Sequence, residues 1–331
     1  MEPVAALERI AFLLEREDAS PYRVKAFRTA ADAARALPDG PVDTASAARL
    51  PGVGPVTAQV IAEASTGGTP GYLADLMARA GPLAEGGEEL RAALRGDCHL
   101  HSDWSDGGSP IATMARTARA LGHEWAVLTD HSPRLTVARG LTAERLRAQI
   151  AEVAEVNRAL APFRLLTGIE CDILDDGSLD QDEDLLAELD LVVASVHSKL
   201  AMEPAAMTRR MVAAVRNPLV DVLGHCTGRL VGGKRARPES RFDADAVFAA
   251  CAATGTAVEI NCRPERRDPP SRLIARALEA GCLFTVDTDA HAPGQLDWQG
   301  YGCARAAAAG VPADRVANTL PVEALLAWTS R

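Results

Sequence analysis

Residues 96–101 have the sequence Gly-Asp-Cys-His-Leu-His, a short strand pattern that contains two histidines. Similar blocks, each closing an apolar run, recur as Thr129-Asp130-His131, Ala194-Ser195-Val196-His197, Leu223-Gly224-His225 and Thr288-Asp289-Ala290-His291. Six of the seven histidines lie in these blocks. A protein core does not need its histidines at strand ends beside carboxylates, whereas a cluster of divalent metal ions needs such nitrogen and oxygen ligands. The pattern therefore predicts a site for several metal ions.

The region that follows Gly96 alternates between short apolar runs and helical segments. The predicted strands span residues 97–101, 125–130, 164–170, 191–197, 220–225, 257–261 and 283–289. Such alternation is typical of parallel strands joined by crossover helices, in an open sheet or in a closed barrel. The candidate ligands favour the barrel, because the outer strands of an open sheet lie too far apart to share one site. In barrels of this class, functional residues lie at the carboxyl ends of the strands.

The candidate metal ligands are His99, His101, Asp106, His131, Glu170, His197, His225, Asp289 and His291. Two pairs among them, His99 with His101 and Asp289 with His291, are two positions apart, so each pair points to one face of a strand. Nine ligands exceed the four of a tetrahedral zinc ion and suit two or three ions that share a carboxylate. The alternative is a set of ordinary hydrogen-bonded histidines, which explains poorly why six of them end strands.

The composition restricts the class of protein. With 331 residues, 47% of them hydrophobic, the chain is long enough for two domains. No membrane span or signal peptide is evident, so a cytoplasmic protein is expected. The seven cysteines include no Cys-x-x-Cys pair, which argues against a disulfide framework and a zinc ribbon. The net charge of −10 disfavours tight nonspecific binding of nucleic acid, although bound cations would reduce it.

The order of the short motifs resembles that of the polymerase and histidinol phosphatase (PHP) superfamily. The motifs are His99-Leu-His101, Ser105-Asp-Gly107, Thr129-Asp-His-Ser132, Gly168-Ile-Glu170, Ser195-Val-His197, Gly224-His225 and Thr288-Asp-Ala-His291. Thr227-Gly-Arg-Leu230, Glu259-Ile-Asn261 and Asn318-Thr319 resemble in particular the PHP domain of bacterial family X DNA polymerases. This resemblance implies a distorted (β/α)7 barrel over residues 96–331 that hydrolyses phosphate esters.

The resemblance also implies a cofactor and roles for individual residues. All nine ligand positions are filled, with Glu170 as the expected bridge between ions. Two to three divalent ions are expected, zinc or manganese, with iron as a further candidate. Such ions lower the pKa of bound water and hold phosphoryl oxygens, so no protein nucleophile is required. His123 falls where the family often has an aromatic residue, and we interpret it as structural.

Other residues near the strand ends are candidates for supporting roles. Besides Glu170, we consider Asp130 and Glu259 as catalytic residues that could protonate a leaving group. Asp97 and Asp130 flank ligands and could orient imidazoles. The candidate phosphate-binding cations are Lys199, Arg229, Arg263 and Arg266, which follow strand ends. Solvated surface charge is the alternative for each of these cations.

The first 82 residues are predicted to form a separate all-α domain, followed by a glycine-rich linker over residues 83–95. The segment Leu50-Pro-Gly52-Val-Gly54-Pro-Val-Thr57 has the form of a helix-hairpin-helix, in which backbone N–H groups approach a DNA phosphate. We therefore assign Gly52, Gly54 and Thr57 as DNA-binding residues. Residues 1–80 carry eight basic and ten acidic side chains, so any DNA binding is expected to be weak. A helical domain used for packing or dimerisation is the alternative.

Three functions are compatible with these features. The first is a metal-dependent phosphoesterase acting on DNA or nucleotides, as a 3′-5′ exonuclease or a 3′-phosphatase. The second is a small-molecule phosphatase of the histidinol-phosphate type, which the acidic charge favours. The third is a noncatalytic DNA-binding or scaffold protein with structural metals, against which the complete ligand set argues. No membrane partner is expected.

Overall fold

The structure is a computed structural model that describes residues 1–232 and 236–330. Gly233, Lys234, Arg235 and Arg331, which belong to the predicted barrel region, lie outside the described residues. The chain forms two compact units, one made of residues 1–82 with 293–295, and the other of residues 83–292 with 296–331. Within the described residues, no helix is long and apolar enough to cross a membrane.

The first unit is built from helices, as the sequence predicts. Its helices are α1 (Pro3–Arg16), α2 (Pro21–Ala34), α3 (Thr44–Ala47), α4 (Pro55–Ser65) and α5 (Gly71–Arg79). Proline at the start of α1, α2 and α4 suits the first helical turn, where no N–H partner is required. The apolar positions at helical spacing, including Leu7, Ile10 and Ile61, are fully buried in one core.

The second unit contains seven parallel strands. They are β1 (Gly96–Leu100), β2 (Trp125–Leu128), β3 (Arg164–Asp172), β4 (Leu191–Ser195), β5 (Val222–Leu223), β6 (Ala257–Asn261) and β7 (Phe284–Asp287). Each strand pairs with its neighbour in sequence order. The first and last strands approach each other, since the N–H of His101 donates to the carbonyl oxygen of Ala290 at 2.8 Å. The sheet is therefore a nearly closed barrel, and the predicted fold class is confirmed.

Helices surround the strands of this unit. They are α6 (Glu88–Ala93), α7 (Ile111–Ala120), α8 (Ala143–Leu160), α9 (Glu183–Leu186), α10 (Pro204–Val215), α11 (Ala244–Thr254), α12 (Ser271–Glu279), α13 (Gln299–Ala308) and α14 (Val322–Thr329). The strands are almost entirely buried, as expected where helices cover parallel strands. Helix α6 lies inside the segment 83–95, which is predicted above as a glycine-rich linker.

Candidate metal centre

The carboxyl ends of the barrel strands bring the predicted ligands together. His99 is in β1 and Glu170 is in β3, while His197 and His225 each follow their strand by two residues. Asp289 likewise follows β7 by two residues. Parallel strands of a barrel end at the same rim, so side chains that are distant in sequence share one site. This is why the histidine blocks occur at similar places in successive βα units.

The carboxylate of Glu170 lies at the centre of the cluster. Its Oε1 is 2.7 Å from Nε2 of His225 and 3.2 Å from Nε2 of His197. Its Oε2 is 2.8 Å from Nδ1 of His131 and 3.4 Å from Nε2 of His99. A single carboxylate therefore contacts imidazoles from four other strand ends, which is the geometry that a bridging ligand requires.

Two further carboxylates contact histidines in the same cluster. Asp106 Oδ1 is 3.4 Å from Nε2 of His131 and 3.2 Å from Nε2 of His291. Asp289 Oδ1 is 3.4 Å from Nε2 of His101. Asp106 is the more exposed of the two, with 36% of its side chain accessible, whereas Asp289 is buried. The cluster is therefore buried at Asp289 and accessible to solvent at Asp106.

Among the residues that the structure describes, three groups of side chains have ligand atoms close enough to hold an ion. They are His101, Asp106, His131 and His291; His99, His101 and Asp289; and His131, Glu170 and His197. The atoms of each group lie within 4.8 Å of one another. Because His101 and His131 each occur in two groups, the three groups form one connected cluster. His225 is in none of them but contacts Glu170.

Unpaired polar atoms in this cluster fit bound cations. The buried atoms that make no hydrogen bond, although several of them contact Glu170 closely, include Nε2 of His99, both ring nitrogens of His101, Nδ1 of His131, Oε2 of Glu170, Nε2 of His197 and Nδ1 of His225. A buried polar atom without a partner costs on the order of 1–3 kcal/mol. Such atoms concentrated around three carboxylates are suited to divalent ions, so the residues fit the implied metals.

Two carboxylates orient the imidazoles of the cluster. Glu259 Oε1 is 2.6 Å from Nδ1 of His99, and Asp172 Oδ1 is 2.6 Å from Nδ1 of His197. A proton held at Nδ1 leaves the Nε2 lone pair of the neutral ring directed at Glu170. Two lone pairs facing a carboxylate repel it unless a cation or a proton lies between them. The tautomers set by Glu259 and Asp172 therefore favour cation binding.

The pKa values of the imidazoles follow from this arrangement. Burial opposes protonation of His197, but the charges of Glu170 and Asp172 raise its pKa to about 9. Burial and the nearby Arg266 lower the pKa of His225 to about 4. Burial also holds the pKa of His101 well below its usual value, with His291 and His131 acting in the same direction. Neutral rings such as those of His101 and His225 are the form that binds metals.

The prediction that Asp97 and Asp130 orient imidazoles is wrong. Asp97 accepts hydrogen bonds from the N–H groups of His99 and Thr288 and from the Thr288 hydroxyl. Asp130 accepts them from Ser102, Ser105 and Gln149. Both carboxylates shape the loops behind the ligands and are buried.

Asp172, which orients His197, was missed by the sequence analysis. It lies two residues after Glu170 on β3, so the period of a strand could have placed both side chains on one face. Asn261 was also not assigned a role, and its Nδ2 donates to Asp289 Oδ2 at 3.0 Å. Neither residue belongs to a histidine block, which is the signal that guided the assignments.

The four predicted phosphate-binding cations occupy different places. Arg263 Nη1 is 2.8 Å from Nδ1 of His291, and Arg266 Nε is 3.1 Å from Asp289 Oδ2, so both lie at the cluster. Lys199 instead pairs with Asp175 and is largely exposed. The Arg229 guanidinium donates to the carbonyl oxygens of Arg266 and Arg267. Among the described contacts, those of Lys199 and Arg229 include none of the nine ligands.

The predicted DNA-binding hairpin lies between α3 and α4 of the first unit. Gly52 has φ of +74°, and a Cβ there would lie 2.5 Å from Cγ2 of Thr29. Gly54 begins α4 as its N-cap with an extended φ of −94°, and a Cβ there would meet nothing within 4 Å. Thr57 is buried, and its hydroxyl accepts from the N–H of Gly54 at 2.9 Å. Its hydroxyl is therefore engaged in capping the helix.

Comparisons with known proteins identify the two regions. A helix-hairpin-helix domain model matches residues 1–70, and a PHP domain model matches residues 97–263, half of the chain. The chain belongs to the PHP domain family. The first 70 residues add a helix-hairpin-helix region to this PHP chain.

Several relatives of this PHP chain are known. It is 42% identical over 204 residues to the DNA polymerase/3′-5′ exonuclease PolX of Bacillus subtilis, a match that covers 62% of this chain and 35% of that protein. A probable phosphatase of Thermoanaerobacter sp. is 28% identical over 207 residues, covering 59% of this chain and 78% of the relative. The solved histidinol phosphate phosphatase of Lactococcus lactis, a complex with zinc, L-histidinol and phosphate, matches with 20% identity and a TM-score of 0.47. That match covers 66% of this chain and 94% of the solved one.

Proposed function

We propose that this chain is a metal-dependent phosphoesterase that acts on phosphate esters of DNA or nucleotides. Residues 96–331 form its catalytic domain, residues 1–82 form a helix-hairpin-helix domain, and residues 83–95 connect them. Two to three divalent ions, zinc or manganese with iron as a further candidate, are held by the nine ligands. The reaction is of the 3′-5′ exonuclease or 3′-phosphatase type.

The observation that carries this proposal is the environment of Glu170. Its two oxygens contact five imidazoles, and two of these, His99 and His197, direct Nε2 at it because carboxylates occupy Nδ1. When bound, divalent ions lower the pKa of water and polarise the phosphoryl oxygens of an ester. Glu170 has the position to hold two ions at once, which is the role we propose for it in catalysis.

Side chains around the cluster have positioning roles in this proposal. Glu259 and Asp172 fix the ring orientations of His99 and His197. Asp130 and Glu259, considered above as acids, are buried and already accept hydrogen bonds from protein donors, so we propose positioning roles for both. Arg263 and Arg266 pair with Asp289 while keeping 18% and 17% of their side chains exposed, and they are the cations nearest an incoming phosphate.

The choice of DNA or nucleotides as substrate rests on the first region and on the relative with the highest identity given above. That relative is named a 3′-5′ exonuclease, and a hairpin domain supplies a means of holding a polynucleotide. A small-molecule phosphatase is the second candidate. It is favoured by relatives named as probable phosphatases, which match over most of their length, and by the excess of acids over bases in residues 1–80.

Metal analysis combined with a substrate panel tests the proposal. Purified protein is analysed for bound metals and assayed with bis(p-nitrophenyl) phosphate, single-stranded DNA, 3′-phosphorylated nicks and histidinol phosphate, with added manganese or zinc. We expect two to three ions per chain and hydrolysis that a chelator abolishes. Stoichiometric metal without hydrolysis of any ester would favour the noncatalytic scaffold. Hydrolysis of histidinol phosphate alone would favour the small-molecule phosphatase.

A further inference from the structure

A pocket in the second unit lies beside the metal centre and is lined by arginines. Its volume is about 540 Å³, within the range of roughly 300–1,000 Å³ typical of small-molecule sites. The polar side chains that line it include Arg229, Arg263, Arg267, Arg305, Ser271 and Tyr301. The lining also includes Ala84, Pro264 and other small or apolar residues. Its dimensions suit a nucleotide-sized group.

The charge of this arginine pocket favours an anion. None of its described lining residues is acidic, although two of its cations have acidic partners. Arg229 Nη1 is 3.5 Å from Glu239 Oε1, and Arg263 Nε is 2.7 Å from Glu265 Oε1. Arg263 Nη1 also lies 3.6 Å from Asp289 Oδ1. With these three partners counted, the four cations still exceed the acids by one. Clustered guanidinium groups with low-dielectric walls attract phosphate, which they bind through several N–H donors.

Two guanidinium groups of the pocket are held in place by the backbone. Arg305 Nη1 donates to the carbonyl oxygen of Asn261 at 3.1 Å, and Arg229 Nε donates to that of Arg266 at 3.1 Å. Each guanidinium has five N–H donors, so these bonds leave others available for a ligand. Fixed donors lose less conformational freedom on binding than mobile ones. The arginine pocket is therefore partly preorganised.

Arg263 connects the arginine pocket to the metal centre. It lines the pocket, and its Nη1 is 2.8 Å from Nδ1 of the candidate ligand His291 and 3.0 Å from the carbonyl oxygen of Asp289. A group bound in the pocket therefore lies one guanidinium away from the candidate ligands. Arg267, which also lines the pocket, has a left-handed backbone φ of +47°. Residues other than glycine adopt this backbone conformation mainly at turns and functional sites.

We infer that the arginine pocket binds a second phosphate of the substrate, the one next to the phosphate that reacts at the metal centre. The substrate class is then a nucleotide or polynucleotide with two neighbouring phosphates, and not an isolated monoester. This inference rests on the proposed function and makes it more specific. It assigns to Arg267, which contacts none of the nine ligands among the described residues, a role in substrate selection.

Paired substrates test the inference. Thymidine 5′-(p-nitrophenyl phosphate) has one phosphate, and its 3′-phosphorylated derivative has two. We expect the metal-loaded protein to release p-nitrophenolate from the derivative with at least 10-fold higher kcat/KM than from the single-phosphate substrate, mainly through a lower KM. Arg267→Gln should remove most of this preference and leave hydrolysis of the single-phosphate substrate within 2-fold of the wild type. Arg276→Gln, which removes an exposed arginine that pairs with Asp245 outside the pocket, is the matched control and should change neither rate.

A binding measurement separates failure of the inference from failure of the proposed function. Calorimetry with thymidine 3′,5′-bisphosphate and metal-free protein should show binding that Arg267→Gln weakens at least 5-fold and Arg276→Gln does not. Equal binding by wild type and Arg267→Gln, or equal rates on the paired substrates, would overturn the pocket as a second-phosphate site. Arginine-dependent binding without hydrolysis of either substrate would contradict the proposed phosphoesterase while supporting the pocket. Thermal melts of all variants verify that they are folded.

Discussion

The metal centre and the hairpin are both candidate phosphate-binding regions, but they are built from different parts of the chain. The centre consists of side chains, nine of them from several strand ends, which contact one another at 2.7–3.9 Å. The hairpin relies on backbone at Gly52 and Gly54, and its one polar side chain among the predicted contacts, Thr57, caps its own helix. The metal centre therefore requires particular side chains, whereas the hairpin requires only residues that leave its backbone accessible.

This difference determines what a substitution can reveal. Replacing one ligand removes an atom on which several others depend, since the buried cluster has few alternative partners. Replacing a hairpin glycine leaves every side-chain contact in place and changes only access to the backbone. Effects at the centre should thus be large and shared among residues, whereas effects at the hairpin should be small and local.

The largest effect is expected from Glu170→Gln. The substitution removes one anionic oxygen from a carboxylate that contacts five imidazoles, so we expect loss of more than one metal ion per chain. Hydrolysis of bis(p-nitrophenyl) phosphate should fall by at least about 10³-fold, because positioning of the ions and the ester depends on the same group. Elemental analysis and steady-state kinetics measure both quantities.

The matched control for this variant is Glu155→Gln. Glu155 lies on α8, is exposed and pairs with Arg158. The control should keep wild-type metal content and activity. A Glu170→Gln protein that retains all its metal would contradict the expected large, shared effects at the centre, because metal binding would then not depend on a shared carboxylate.

Smaller effects are expected from the two carboxylates that orient imidazoles. Glu259→Gln and Asp172→Asn each remove the charged partner of a ring Nδ1, and losses of such partners typically cost about 10–100-fold in metal affinity or activity. Competition with a chromogenic chelator measures the affinity. Asp130→Asn is the informative contrast, since the described hydrogen bonds of Asp130 come from Ser102, Ser105 and Gln149 and include none from an imidazole. An Asp130→Asn protein with a greater loss of affinity than Asp172→Asn would contradict the assigned orientation.

The barrel and the meeting of the nine candidate ligands at one rim could be predicted from the sequence. Both predictions depend on the period of two along a strand and on where the strands end. The sequence did not show that Asp172, and not Asp97, orients an imidazole, because this depends on three-dimensional contacts. Asp97 belongs to a histidine block, but its carboxylate accepts a hydrogen bond from Thr288. Asp172 instead contacts His197 across the pairing of β3 with β4. Proximity in sequence was the wrong guide to which carboxylate meets which ring.

For a related reason, the sequence did not separate the predicted cations that lie at the cluster from those that lie elsewhere. Lys199 and Arg263 both follow strand ends by two or more residues, and nothing in the sequence separates them. In the structure Arg263 pairs with the candidate ligand Asp289, while Lys199 pairs with Asp175. The direction of a long side chain in a loop depends on the nearest partner of opposite charge, which only the fold determines.

His123, the one histidine that is not a candidate ligand, can be compared with the six histidines of the metal centre. Burial, with a contribution from the charge of Arg91, lowers the pKa of His123 to about 4. Between pH 6.5 and 4 the unfolded chain therefore binds a proton that the folded chain excludes, and stability falls as pH falls. From pH 7 to pH 5 this costs about 2 kcal/mol. Between pH 7 and pH 5, the free energy of unfolding measured with denaturant should therefore fall by about 2 kcal/mol less in His123→Asn than in the wild type. Equal falls in the two proteins would contradict the structural role of His123.

The smallest effect is expected at the hairpin, where two glycines can be separated. Gly52→Ala should cost at least about 1 kcal/mol, because φ is positive and the new Cβ meets Thr29. Gly54→Val should cost no more than about 1 kcal/mol, since its extended backbone suits valine and space is open there. If the backbone at Gly54 meets a DNA phosphate, the valine should weaken binding of single-stranded DNA a few-fold.

Fluorescence anisotropy at low salt measures that binding, and Gly68→Val is the control. Gly68 lies in another turn of the same unit, outside the left-handed region, and a Cβ there meets only the carbonyl oxygen of Glu63 and the Thr66 hydroxyl at ordinary distances. Binding should also weaken only gradually with added salt, because few cations of this region release counterions. If both valine variants bind DNA as tightly as the wild type, the hairpin glycines serve the fold alone, and the comparison between the two regions becomes one between a functional site and a structural turn.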